Sequence, residues 1–138
     1  MPDTLSSATN PRRGTILVVE DRADVRQGLS QLLELHGFLV AEARDGEAAL
    51  ARLAADSGVA LILLDLRLPG AISGREVRAR QLAQAPIAGI PTVIVSGSEM
   101  CDADRRDLQP TAWIEKPFAF DVLLAVVRQH VVPEIATT

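Results

Sequence analysis

The sequence predicts an α/β fold: one parallel sheet of five strands with helices on both faces. Three observations predict it. Unbroken apolar runs at Thr15–Val19, Val59–Leu64 and Pro91–Ser96 suit strands covered on both sides. Segments of helical apolar spacing lie between them, so strand and helix alternate five times. Right-handed crossovers then point all five strands the same way.

Taken in order, residues 1–13 are rich in Ser, Thr, Asn and Pro and read as a flexible tail before one domain at 14–132. The first strand, Thr15–Val19, ends in Glu20-Asp21. From Asp24 the residues Val25, Leu29, Leu32 and Leu33 fall at helical spacing, and Gly37 suits the C-terminal cap. Phe38–Ala43 is a strand more polar at its end and so nearer a sheet edge. Asp45 is placed to cap an Ala-rich helix through Ala49, Leu50 and Leu53. Val59–Leu64 runs into Asp65, and Pro69-Gly70 opens a loop.

Gly74–Ala85 reads as a helix whose apolar stripe, Val77 and Leu82, is thin enough to predict a largely solvated helix. Pro86 and Gly89 break it, and the strand Pro91–Ser96 follows. Asp102–Leu108 is a short charged helix, Ala112–Glu115 the last strand, and Asp121–Val132 the last helix, stopped by Pro133. Residues 133–138 read as a second tail.

The 138 residues suffice for one domain with a real core, and 48% hydrophobic content with few aromatics makes that core aliphatic. A net charge of −4 argues against nucleic acid as the main partner. The single cysteine, Cys101, excludes an internal disulfide and fits a reducing compartment. No apolar run approaches the ~20 residues of a membrane span. The start lacks the basic and apolar regions of a secretory signal. These features predict a cytoplasmic protein with no membrane partner.

Parallel strands gather their carboxyl ends on one edge of the sheet, where open α/β sheets place ligands. Here that edge collects Glu20, Asp21, Asp65, Ser96 and Lys116. Each alone also reads as an ordinary turn or cap residue. Together, three carboxylates call for a cation among them. A hard, oxygen-seeking ion such as Mg²⁺ fits best, and the lack of nearby Cys or His disfavours zinc and copper. Lys116 adds a positive charge and Ser96 a hydroxyl. The set suggests phosphoryl transfer to an aspartate, since carboxylates form aspartyl-phosphates.

The motifs Ile16-Leu17-Val18-Val19-Glu20-Asp21, Leu63-Leu64-Asp65-Leu66-Arg67-Leu68-Pro69-Gly70, Val95-Ser96-Gly97 and Lys116-Pro117-Phe118 resemble those of the receiver domain of bacterial two-component response regulators. That is the CheY-like, flavodoxin-like fold, and the resemblance covers about Thr15–Val132. It implies Asp65 as phosphoacceptor, taking phosphate from a sensor histidine kinase or histidine phosphotransfer protein. It implies Mg²⁺, with Mn²⁺ as a substitute, held by Asp21, Asp65 and the Arg67 backbone carbonyl, with Glu20 acting through a water. Ser96 and Lys116 would bind the phosphoryl oxygens. Ser96 and Trp113 would form the switch, and residues 102–132 the output face. Arg67 and Ser98 lie where the family tunes dephosphorylation, and slow to moderate loss of phosphate is expected.

The chain departs from the family pattern in four places. Glu20-Asp21 replaces the commoner Asp-Asp. The loop between Pro69 and Gly74 looks one residue longer, the segment between Ser96 and Lys116 about two shorter, and Pro110-Thr111 replaces the usual Gly-Ala. The fourth helix is expected to be short or mobile. A haloacid-dehalogenase-type phosphatase would need a second Asp where Arg67 stands. A flavodoxin-like cofactor carrier would need a phosphate loop where Glu20-Asp21 stands. A receiver-like module that is never phosphorylated commonly loses residues this chain keeps. The expectation is a stand-alone regulator, not an enzyme, acting on a downstream protein or as a homodimer; a receiver excised from a hybrid kinase is the alternative.

Overall fold

The computed structural model describes residues 11–134. Most of both expected tails therefore lies outside the described residues. The elements are β1 (Thr15–Val19), α1 (Ala23–Leu35), β2 (Leu39–Ala43), α2 (Gly46–Ala55), β3 (Val59–Asp65), α3 (Gly74–Leu82), β4 (Thr92–Ser96), α4 (Asp102–Leu108), β5 (Ala112–Glu115) and α5 (Phe120–His130). The strands form one parallel sheet in the order β2-β1-β3-β4-β5. The polar strand β2 lies at an edge, as its composition predicts. All seven residues of β3 are buried, as an unbroken apolar run at the centre requires.

Alternate strand residues face opposite layers. Ile16, Val18, Leu61, Leu63 and Val93 meet Leu33 of α1 and Leu123 and Val127 of α5. Leu17, Val19, Ile62, Leu64 and Ile94 meet Ala49 and Leu53 of α2 and Val77 of α3. Each fully buried Val, Leu or Ile among these contributes about 1.5–3 kcal/mol before entropy is subtracted. The caps follow the sequence. Asp45 accepts from the Ala48 N–H at 2.8 Å. Gly37 takes φ 91°, and the Gly37 and Phe38 N–H groups bond back to Glu34 and Leu33, closing α1 as a Schellman motif.

Three expectations are corrected. The strand after α1 starts at Leu39 rather than Phe38, because Phe38 still closes the helix. The last helix runs Phe120–His130 and not to Val132, because Val131 turns extended and bridges to Arg12. The third helix stops at Leu82 and is not largely solvated: Gly74, Val77, Arg78 and Gln81 are all buried.

Among the described residues Arg78 has no carboxylate partner. Its guanidinium donates to Gln81 Oε1 (2.7 Å), Thr92 Oγ1 (2.9 Å) and the carbonyls of Leu108 and Gln109 (both 2.7 Å). Burial lowers its pKa. Gln81 in turn donates to the carbonyls of Ile87 and Ile90. This polar network fastens α3 to the start of β4 and to the C-terminal end of α4, where exposed carbonyls favour a cation. The expected short α4 is seven residues long. Arg78→Ala strands these acceptors and is expected to cost about 3 kcal/mol, checked by urea denaturation; a loss below about 1 kcal/mol would show the network to be dispensable.

Candidate functional site

The sheet order creates a crevice where β1 and β3 lie side by side and the chain departs to opposite edges. Val19 is level with Leu64, so the next residues, Glu20 and Asp65, emerge as neighbours. Asp65 is level with Val95, and Ser96 with Glu115, so Ser96 and Lys116 emerge one step further. The Lys116 N–H donates to the Ser96 carbonyl at 2.8 Å. Gly74 starts α3 against the backbone of Asp65 and Leu66; a Cβ there would collide with the Asp65 carbonyl. The loop of residues 66–73 is thereby held close to the site.

Glu20 and Asp65 are 4% and 6% exposed, so their charges need partners. Lys116 Nζ provides one, donating to Glu20 Oε1 at 3.1 Å and to Asp65 Oδ2 at 3.0 Å. The other Asp65 oxygen accepts from the Arg67 N–H at 2.9 Å, and the other Glu20 oxygen from the Arg22 N–H at 3.0 Å. Burial raises the Glu20 pKa, against the hydrogen bonds from Arg22 and Lys116, and the charge of Asp65 adds to the rise. Burial alone would lower Lys116, but hydrogen bonds to Asp65 and Glu20 outweigh it and its pKa is raised. The two shifts differ in origin: burial dominates at Glu20, whereas the paired carboxylates dominate at Lys116.

Asp21 is exposed beside them. One ligand oxygen from each of Glu20, Asp21 and Asp65 lies within 4.8 Å of the others. Three carboxylates, with no sulfur or imidazole among them, suit a hard divalent cation.

Asp65 also borders a second hollow, of about 220 Å³, lined by Arg67, Arg75, Ser96, Ser98, Asp104 and Trp113. Ser96 Oγ accepts from the Ser98 N–H at 3.1 Å. The Trp113 indole N–H donates to the Ser98 carbonyl at 2.9 Å, which ties β5 to the loop leading into α4.

The response regulator receiver domain family matches residues 16–128 of the chain. The chain belongs to this family. It is 32% identical over 117 residues to the C4-dicarboxylate transport transcriptional regulatory protein DctD of Rhizobium meliloti, covering 83% of this chain and 25% of that protein. It is 34% identical over 114 residues to the transcriptional regulatory protein CpxR of Escherichia coli, covering 82% of this chain and 47% of that one. The chain thus spans less than half the length of these two relatives. Its fold is similar to that of the Vibrio cholerae chemotaxis protein CheY4, with a TM-score of 0.76 at 24% identity over 86% of this chain and 99% of that one. It is also similar to the response regulator TrrA of Thermotoga maritima, solved in complex with Mg²⁺-BeF, with a TM-score of 0.73 at 27% identity over 84% of this chain and 97% of that one.

Receiver domains are phosphorylatable signalling modules of two-component systems rather than classic enzymes; they interact with histidine kinases or phosphotransfer proteins and bind Mg²⁺ at an acidic pocket. In this receiver domain the residues singled out in the sequence converge. Glu20, Asp21, Asp65 and Lys116 form one hollow with Arg67 and Ser98 at its wall, and Ser96 and Trp113 form the other. Sequence reasoning missed Arg75 and Asp104, which join at 2.7 Å across α3 and α4. The signal available was Asp104 three residues after Cys101 at the start of a helix; its carboxylate accepts from the Cys101 N–H at 3.1 Å.

Lys116 is the chain's only lysine; its other cationic side chains at neutral pH are arginines. Lys116→Met leaves two buried carboxylates facing each other. The pair is partly solvent-screened, so the expected cost at neutral pH is about 1–2 kcal/mol by urea denaturation. Because the folded pKa of Lys116 is raised, the contribution is fully present below the ordinary 10.5 and fades as pH rises through the folded value. The difference between wild type and variant therefore shrinks in strong base. A difference unchanged there would contradict the pairing.

Proposed function

We propose that Asp65 accepts a phosphoryl group from a sensor histidine kinase or a histidine phosphotransfer protein. The observation that carries this reading is one carboxylate that accepts from an ammonium and a backbone N–H and stands beside an acidic pair. An Asp65 oxygen attacks the phosphorus of a phosphohistidine. The new P–O bond forms as the P–N bond breaks, and the imidazole leaves with the electron pair and takes up a proton. Lys116 shifts from Asp65 to an arriving phosphoryl oxygen, which keeps it paired throughout. Asp21, Asp65 and the Arg67 carbonyl would hold Mg²⁺ (or Mn²⁺), with Glu20 acting through a water, and the ion would neutralise phosphoryl charge.

Ser96 donates its hydroxyl to a phosphoryl oxygen, a bond with no counterpart before phosphorylation. In doing so it alters the turn whose Ser98 carbonyl holds Trp113, and Trp113 follows as the switch. The output face is α4–β5–α5, acting by protein–protein contact in the cytoplasm. Among the described residues no helix is long and apolar enough to cross a membrane. Arg67 and Ser98 border both hollows and flank the path of a hydrolytic water, so phosphate loss is slow to moderate.

Incubation with acetyl phosphate and Mg²⁺, followed by intact-mass measurement, tests the reading. Wild type is expected to gain one phosphoryl group and retain it for minutes or longer after donor removal. Asp65→Asn is expected to gain none. A wild type that stays unmodified, or a phosphorylated Asp65→Asn, would overturn the assignment, and a half-life of seconds would overturn the role given to Arg67 and Ser98.

A further inference from the structure

α4 is short and weakly anchored: Asp104 and Leu108 are its buried residues. Two arginines three residues apart on α3 hold its two ends. Arg78 grips the Leu108 and Gln109 carbonyls at the C-terminal end. Arg75 Nη1 grips Asp104 Oδ1 at 2.7 Å near the N-terminal end. The two grips differ in kind. Arg78 is buried and fixed by four bonds. The Arg75 side chain is 55% exposed and holds one carboxylate, and it lines the same hollow as Asp65 and Ser96. Asp104 keeps a second bond, from the Cys101 N–H, if Arg75 leaves.

We propose that Arg75 is a phosphoryl sensor that exchanges partners. With Asp65 unmodified it latches α4 through Asp104. Once the phosphoryl group stands on Asp65, Arg75 turns across the shared hollow to it, because the new group offers more negative charge and more acceptor oxygens than one carboxylate. The N-terminal end of α4 is then released and pivots about the end still held by Arg78. This deepens the preceding reading and rests on Asp65 as the acceptor. It assigns Arg75 a positioning role and makes Asp104 its competitor for the phosphoryl group.

Competition gives a signature that a merely structural ion pair does not. The probe is beryllofluoride, a phosphoryl mimic, titrated in Mg²⁺ and followed by Trp113 fluorescence. Arg75→Gln is expected to weaken apparent binding about threefold to tenfold, and Asp104→Asn to tighten it by a similar factor. Asn keeps an acceptor for the Cys101 N–H while freeing the arginine. The double variant is expected to match Arg75→Gln, since with no arginine left the release has no effect. Circular dichroism checks folding, and if Arg75→Gln fails to fold, the sign of Asp104→Asn decides alone.

Single variants that shift binding in the same direction, an Asp104→Asn that leaves binding unchanged or weaker, or one that tightens it equally without Arg75, would overturn the exchange. A wild type that responds no more than Asp65→Asn would instead overturn the acceptor reading, and the exchange with it.

Discussion

The ammonium of Lys116 stands between Glu20 and Asp65, two carboxylates with almost no contact with solvent. Buried without a partner, each charge would destabilise the fold. Much of the architecture serves to bring these three groups together. Lys116 follows the edge strand β5 and must reach past β4 to β3. The parallel register sets that reach by placing Glu115 level with Ser96 and Val95 level with Asp65. A lysine suits the position better than the arginines used elsewhere. Its ammonium is a compact charge on a flexible stem that can meet two carboxylates at once, whereas a guanidinium favours a fixed planar fork.

Asp65 sits between two hollows of different character. On one side acidic residues and Lys116 manage charge. On the other, Ser96, Trp113 and the Arg75–Asp104 pair are joined to the loop that enters α4. The Ser98 segment links the parts of that second side, since its N–H bonds Ser96 and its carbonyl bonds Trp113. On the proposed reading, a change in charge at Asp65 reaches β5 through one turn and α4 through one ion pair. Longer-range elements need not deform, and the aliphatic core beneath has no slack to do so.

The sheet and its functional edge were legible in the sequence because few residues determine them. Three unbroken apolar runs fix the buried strands, and chain direction then places Glu20, Asp21, Asp65, Ser96 and Lys116 on one edge without knowledge of any contact. Gly37 and Asp45 worked as caps because their chemistry is local. The inner face of α3 was not legible. Arg78 and Gln81 read as solvated, yet they are buried because their partners, Thr92 and the end of α4, lie 11 to 31 residues further along the chain. The end of α5 was missed for the same reason, since the Arg12 bridge at Val131 is a tertiary contact. Arg75 and Asp104 look like surface charges until α3 and α4 are packed together.

On the proposed reading, negative charge arriving at Asp65 is carried by the Ser96 side of the site and not by the acidic side alone. Backbone and indole N–H resonances of isotopically labelled protein, recorded first with Mg²⁺ and then with Mg²⁺ and beryllofluoride, test it most directly. Mg²⁺ alone is expected to move the signals of Arg22 and Arg67, and beryllofluoride additionally those of Ser96, Ser98, Asp104 and the Trp113 indole N–H. Beryllofluoride shifts confined to the residues that Mg²⁺ already moves, with the Trp113 indole signal unchanged, would contradict it.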